Sequence, residues 1–534
     1  MTRFQRKPTK NRLMSSATIL AVGTMVSKAL GALYRIPLTN VLGAEGMGMY
    51  QLVFPVFALF MVLSSAGIPT ALSRVVAEKR ALGEGVKRYL FIAMIALGAL
   101  SLLSTILVAT LSQTFALLQG NESVAVGFQV IAPSIFFVGL TAGFRGWFQG
   151  EMFMIPTSTS NVIEQGVKLA VGLSLAVYLK GYGIVWSVVG ALAGVTLSEV
   201  LTVVYLAIFY FVRERKRAVR DKLAIPSKAQ WTDMIRVALP MAVVALLLPL
   251  SNFVDSFIVV NVLKWSGADL STATAEYGIL SGPVTSLVNL PVVFIMSLAI
   301  AVVPSVSISK AERDVNSIIF KSKLSVKLAY TIGVPSAVFL MVFSKEVVGL
   351  LYSSLDYDAI ATASTLLTVT APNVVIMSVM QIYVSLLQAL GKTGSAVRGL
   401  AVAVVVKGVL SVVLVGHIGI VGAGIASLVM GGVALIYVNT AFLRHTGVSV
   451  SLPIAMSLTA GVVCALSAIV PKVYIVHDIL ALVVGFVVCY IMYFFLSTLF
   501  GVLDKKEFGA LPMGKIFVKL HKAIRFWEYT NGTQ

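Results

Sequence analysis

Residues 396–415 read AVRGLAVAVVVKGVLSVVLV, a run whose only charges are Arg398 at its edge and Lys407 near its middle. At about 1.5 Å per residue, a helix of that length crosses the roughly 30 Å hydrocarbon core of a bilayer. The same criterion applied outward gives fourteen apolar runs, at 13–34, 50–73, 89–111, 125–147, 158–179, 184–211, 237–261, 279–304, 324–344, 362–388, 396–415, 420–442, 452–470 and 479–502. The composition agrees, with 58% hydrophobic and only 12% charged residues in 534, where a soluble domain carries about 25% charged. The expected class is an all-α polytopic membrane protein of about fourteen transmembrane helices. The bilayer is its solvent, and nucleic acid is not an expected partner despite a net charge of +19.

The basic residues sort by side. With the N-terminus in the cytoplasm, 31 of the 41 Lys and Arg fall in cytoplasmic segments and four, Lys180, Lys264, Lys345 and Lys472, fall outside. This is the positive-inside pattern, and it places both termini of a multi-pass cell-membrane protein in the cytoplasm. The first run follows basic residues as a signal peptide would. Its length, with no small-residue cleavage site behind it, marks it instead as a retained span. The tail at 504–534, with Lys515, Lys519, Lys522 and Arg525 among Phe517, Phe526 and Trp527, has the composition of an amphipathic helix on anionic lipid, or of a solvated tail.

The chain repeats itself. Ala132-Pro133-Ser134 recurs as Ala371-Pro372-Asn373, Gln149 as Gln388 and Lys168 as Lys407, all at an offset of 239; Gly183-Ile184-Val185 recurs as Gly419-Ile420-Val421 at 236. An offset of six spans preserves membrane orientation. The halves are therefore expected to be parallel repeats about a pseudo-two-fold along the membrane normal, the architecture of an alternating-access carrier. The domains expected are 1–222 (N-terminal lobe), 223–446 (C-terminal lobe), 447–503 (spans thirteen and fourteen) and 504–534 (the basic tail).

Nine charges remain inside spans: Lys28, Arg35, Arg74, Arg145, Lys168 and Lys407 against Glu164, Glu199 and Asp255. Each costs about 2.5–3.5 kcal/mol at a helix centre, so none is expected to face lipid there. Arg74 and Arg145, near cytoplasmic span ends, and Arg35, near an external one, have headgroups within snorkelling reach. Lys168 and Lys407 lie near the midplane. Glu164 precedes Lys168 by four residues, the order that favours an intrahelical pair; Ala403 holds the equivalent place before Lys407. In the first span Thr24, Lys28, Gly31 and Arg35 form one stripe. The seventh span offers Pro249, Asn252, Asp255 and Ser256, and Asp255 is expected to bridge to Lys28 or Arg35, as a gate or as a static tie. A cationic surplus suits a pyrophosphate. A cation exporter is expected to be lined by acids instead.

No Walker A loop, HExxH helix or acid-bearing external loop is present, so neither an enzyme, a cofactor nor a metal is expected. Cys464 and Cys489 lie in apolar runs and imply no disulfide framework. The run Arg145-Gly146-Trp147-Phe148-Gln149-Gly150 reads as a helix stop with Gly150 just past its end.

These residues resemble the multidrug/oligosaccharidyl-lipid/polysaccharide flippase superfamily in its polysaccharide-biosynthesis branch, and within it the sporulation proteins and lipid II flippases of Gram-positive bacteria. The resemblance is carried by Ser27-Lys28 through Leu42-Gly43-Ala44-Glu45-Gly46 with Tyr50, by Gly67-Ile68-Pro69 to Ser73-Arg74, and by Arg145 to Gly150 with Pro156, Thr157, Glu164, Gln165 and Lys168. It implies two six-helix lobes around a cavity with two peripheral helices. The implied cargo is an undecaprenyl-pyrophosphate-linked sugar, a peptidoglycan precursor such as lipid II for cell wall or spore cortex, moved from inner to outer leaflet by alternating access. Lys28 and Arg35 stand where lipid II flippases carry two first-span arginines, although the acid and arginine such proteins carry around the second span have no match near Tyr50 and Pro55. Lys28, Arg35, Lys168 and Lys407 are the expected substrate-binding residues, and Asp255, Asn252, Glu164 and Glu199 the expected gating or coupling residues, with sodium or a proton as coupling ion. A cation-coupled multidrug exporter of the same superfamily and a membrane-embedded sugar-lipid transferase or polymerase are the alternatives.

Overall fold

A computed structural model describes residues 10–65, 67–81, 85–215, 228–447, 454–475, 477–499 and 502, and all regular structure among them is helical. The basic tail expected at 504–534 lies outside the described residues. Contacts divide the chain into two compact units, Met1–Pro283 with Val415–Ile420, and Val284–Leu414 with Val421–Gln534.

The first unit holds α1 (Lys10–Ser65), α2 (Ile68–Ala81), α3 (Lys87–Thr110), α4 (Ser112–Leu118), α5 (Ala125–Gly150), α6 (Ile155–Val167), α7 (Leu173–Leu179), α8 (Ile184–Arg215), α9 (Lys228–Trp265) and α10 (Leu270–Ile279). The second holds α11 (Thr285–Ala311), α12 (Val315–Val342), α13 (Ser344–Leu351), α14 (Tyr357–Thr370), α15 (Asn373–Ala389), most of α16 (Thr393–Ile418) and α17 (Ile420–Thr446), α18 (Ile454–Tyr474) and α19 (Asp478–Leu499).

By length and hydropathy, 11 helices among the described residues can cross a bilayer, or 12 if α14 and α15, bent by 44°, form one span. Fourteen is not reached on that count. The first two expected spans run on into a single stretch, and the thirteenth is the short apolar helix Thr459–Tyr474. Within that single stretch α1 is two helices that meet at a kink at Gly43, with φ 67° and ψ −172°, between the two expected spans. Nothing lies within 4 Å of a Cβ at Gly43, so this glycine is there for its backbone conformation rather than for close packing.

In the first unit α5 packs against α2, α3 and α8. Small residues set these approaches, as is usual where lipid gives helices no hydrophobic reason to associate. A Cβ on Gly146 would lie 2.7 Å from Pro69 O, and one on Gly150 would lie 2.8 Å from Ser73 O. The end of α5 corrects the expected stop. Gly150 is still helical, and the left-handed residue is Met152 (φ 56°), with Met152 N donating to Gln149 O at 3.0 Å and Phe153 N to Phe148 O at 2.9 Å. That is a Schellman closure with Met152 at its turn; Gly150 is a glycine because α2 leaves no room for a side chain.

The same corner holds Glu151, whose side chain is 4% exposed, 2.9 Å from Arg80 and 3.8 Å from Arg213, which itself lies over the Phe153 ring. The clamp ties the ends of α2, α5 and α8. Both arginines are about a third exposed and keep part of their water, so Glu151→Gln is expected to cost about 1–2 kcal/mol rather than the larger penalty of a fully buried break. Thermal unfolding of the purified protein checks this, and an unchanged midpoint would contradict it.

In the second unit α12 packs on α11, α15, α18 and α19. Ser336 and Tyr490 share a 2.7 Å hydrogen bond beside an apolar hollow of about 550 Å³ lined by Leu287, Pro291, Phe294, Phe339, Leu351 and Phe486. Cys464 and Cys489 are buried free thiols, with Cys464 Sγ donating to Cys489 O at 3.1 Å. Tyr178, Tyr182, Trp186 and Trp265 in the first unit, and Tyr357 and Tyr474 in the second, are exposed at or near helix ends, where aromatic side chains of membrane proteins commonly lie.

Candidate functional site

The charged centre of the first unit is built on α6. Pro156 in its first turn has no donor to waste there, and the helix then presents Ser160, Glu164 and Lys168 at successive intervals of four along one face. Past Val167 the backbone widens into a π turn, Lys168–Gly172, before resuming as α7. Such single-turn insertions re-aim side chains and recur at functional sites. This one lies at a tight crossing: a Cβ on Gly194 of α8 would overlap Gly172, and one on Gly190 would lie 2.6 Å from Leu175 O. The close approach of α8 brings Glu199 to the lysine.

Four charges meet there. Lys168 Nζ is 2.6 Å from Glu164 Oε1 and 3.4 Å from Glu199 Oε1, and Arg145 of α5 is 3.0 Å from Glu164 Oε2. Arg145 Nε also donates to Ser160 Oγ at 3.0 Å, and Gln165 Nε2 to Glu164 Oε1 at 3.1 Å. The four side chains are between 4% and 21% exposed. Two cations and two anions thus balance inside an apolar bundle, where either sign alone would be costly.

The expected pair Glu164–Lys168 is present, and Glu199 joins it. Arg145, expected to snorkel to the headgroups, turns inward instead, because Glu164 offers a charged partner within its reach. Residue spacing within one span cannot show this; it depends on where α5 crosses α6. The crossing glycines do have a sequence signal, the small-xxx-small pair Gly190 and Gly194.

The first-span stripe sits beside this centre. Ser27 Oγ donates to Asn161 O at 3.1 Å, and a Cβ on Gly31 would lie 3.1 Å from Gln165 Oε1, so α1 rests on α6 through its small residues. Lys28 and Arg35 are half-buried on α1, and buried Tyr50 lies within electrostatic range of both Arg35 and Lys168. On α9 Asp255 is half-buried and Asn252 exposed, with buried Ser256 adjoining. Lys407 of α16 is buried, at 6% exposure, in the second unit. Among the described residues no group of three or more His, Cys, Asp or Glu is placed to hold a metal.

Comparison with known proteins adds the family. A family model described as polysaccharide biosynthesis protein matches residues 13–310, and one described as MatE matches 240–413. Stage V sporulation protein B of Bacillus subtilis (strain 168) is 26% identical over 403 residues, covering 74% of this chain and 77% of the relative. Lipid II flippase MurJ of the same strain is 23% identical, covering 87% and 88%. Multidrug export protein MepA of Staphylococcus aureus (strain NCTC 8325 / PS 47) is 24% identical, covering 89% and 96%. Among solved structures, lipid II flippase MurJ in an inward closed conformation superposes with a TM-score of 0.68 at 16% identity, over 90% of this chain and 98% of that one. An inward-facing multidrug resistance MATE family transporter of the MOP superfamily gives 0.66 at 19%, over 78% and 93%. At these identities the two structures establish a shared fold.

Proposed function

Because the chain belongs to the polysaccharide biosynthesis protein family of the MOP superfamily, a group of multi-pass membrane transporters, we propose that it is a flippase for a polyprenyl-pyrophosphate-linked sugar, a peptidoglycan precursor such as lipid II. Alternating access is the proposed mechanism. One observation carries the choice of cargo, the sign of the embedded charge. Of the nine charges inside the expected spans, Arg145 and Lys168 pair with Glu164 and Glu199, and the others, Lys28, Arg35, Arg74 and Lys407 with Asp255, are cationic in sum. A low-dielectric interior with that surplus attracts an anion and repels a cation.

Lys28, Arg35 and Lys407 are the proposed contacts to the pyrophosphate. Arg contributes a two-pronged contact and Lys a point charge. Lys168 reaches the phosphate only if it loosens from Glu164 or Glu199, so cargo and carboxylates would compete for one ammonium. Glu164, Glu199, Asn252 and Asp255 are the proposed gating or coupling groups, with sodium or a proton as coupling ion. The apolar hollow of the second unit is compatible with part of a prenyl chain. The cytoplasmic placement of both termini is proposed on the distribution of Lys and Arg.

A second reading, export of a cationic drug, is favoured by the MatE match and by the similarity to MepA, and opposed by the charge. The two separate in a binding measurement. Undecaprenyl pyrophosphate is expected to raise the unfolding temperature of the detergent-purified protein, and Arg35→Gln to weaken that binding about tenfold, the loss of one charge-assisted contact. Stabilisation by lipophilic cations and none by the pyrophosphate would favour the exporter.

A further inference from the structure

Lys264, one of the few basic residues assigned to the outer side, is explained neither by the charge rule nor by the cargo site. It lies at the end of α9, and its Nζ donates to Gly120 O at 2.9 Å. One turn earlier Asn261 Nδ2 donates to Leu118 O at 2.7 Å. Both acceptors belong to the carbonyl end of α4. There Gly120 (φ 77°) closes the helix, with Gly120 N on Leu117 O at 3.0 Å and Asn121 N on Ala116 O at 3.1 Å. That closure satisfies Leu117 and Ala116, and α9 provides for Leu118 and Gly120. A cation and an amide at the negative end of a helix are well matched to it. A Cβ on Gly120 would strike Asn261, so the contact depends on that glycine.

The seam continues alongside. Gln119 Nε2 donates to Ser256 Oγ and to Leu52 O, each at 2.9 Å, and Asn121 Nδ2 to Thr274 Oγ1 at 3.1 Å. Gln51 Nε2 donates to Ser281 O at 2.6 Å. Between these bonds the backbones of α1 and α10 touch: a Cβ on Gly278 would overlap Gly48. Thus α9 and α10, which open the second sequence repeat, are joined to elements of the first by hydrogen bonds, by close glycines and by the buried Tyr277, whose OH donates to Gln51 O at 3.4 Å. The contacts at the seam's outer end are single hydrogen bonds, and the donors Asn261 and Lys264, once freed, can bond water there.

We propose that Asn261 and Lys264 are a releasable latch on the carbonyl end of α4, and that its release opens the transporter on the side opposite the basic segments. The proposal deepens the alternating-access reading and rests on it. Cargo plays no part in the latch itself.

The test uses full-length protein in membrane vesicles, with Cys464→Ser and Cys489→Ser as background and Ser256→Cys as reporter, inward of the latch along α9. A membrane-impermeant maleimide is added on the latch side. Asn261→Ala with Lys264→Met is expected to speed labelling about tenfold, the shift from losing two hydrogen bonds, one of them charge-assisted. An unchanged rate overturns the proposal. As a second arm, Asn121→Cys with Thr274→Cys is cross-linked in protein without the reporter. Transport is expected to stop on oxidation and return on reduction, and undiminished transport in the cross-linked protein overturns the proposal as well. Faster labelling in a protein that moves no polyprenyl-linked sugar leaves the latch standing and removes the cargo reading.

Discussion

Glu164→Gln is expected to produce the largest loss of any single substitution in the charged centre. The carboxylate accepts from Lys168, Arg145 and Gln165 at once. Its amide replacement leaves two cations facing each other in a site whose side chains are no more than 21% exposed. Breaking a buried ion pair from one side costs about 3–5 kcal/mol, because the remaining charge is stranded. Here the remaining acid, Glu199, at 3.4 Å from Lys168, compensates for part, so a loss of about 3 kcal/mol is expected. A double substitution separates this cause from a general packing defect. Glu164→Gln with Lys168→Met removes the stranded charge and is expected to be more stable than Glu164→Gln alone, a strong departure from additivity. Unfolding midpoints that simply add would refute the account of the centre as a balanced quartet.

Gly194→Val ranks second. Its Cβ would overlap Gly172 Cα, and the obstruction is backbone rather than the end of a flexible side chain. Only a shift of α8 away from the π turn relieves it. Overpacking of this kind costs about 1–3 kcal/mol and occasionally more. A functional loss should exceed the structural one: moving α8 by even 1 Å carries Glu199 out of range of Lys168. Gly166→Ala is the control. It lies on α6 with nothing within 4 Å of its added Cβ, and it is expected to be neutral or to stabilise by up to about 1 kcal/mol. Equal effects of the two variants on transport would show that the α6–α8 crossing does not set the site.

What the sequence discloses about this molecule follows from how local each feature is. Hydropathy accumulates over twenty residues, so the apolar spans are legible, and the Glu164–Lys168 pair is legible because a helix fixes the interval of four. The membership of Arg145 is not: the same side chain reaches headgroups or Glu164 according to where α5 crosses α6. The π turn at Lys168–Gly172 inserts one residue into a hydrogen-bond ladder and leaves no mark on composition. The end of α5 shows a third limit. Gly150 looks like a terminator because glycine commonly is one, yet α2 uses its missing side chain for contact, and Met152 takes the turn. At Gly43 the sequence and the structure agree: its backbone (φ 67°) makes the kink in α1 that lies between the two apolar runs hydropathy separates.

The central claim is transport of a polyprenyl-pyrophosphate-linked sugar. Its most direct test is a proteoliposome assay in which fluorescent lipid II and other polyprenyl-linked sugars are followed from one leaflet to the other, with wild type compared with Lys407→Ala. The account predicts movement well above protein-free liposomes for at least one such lipid, and a fall of about tenfold or more in the variant, the loss of one charge-assisted phosphate contact. Wild-type movement of none of these lipids, in preparations that do transport a lipophilic cation, would contradict it.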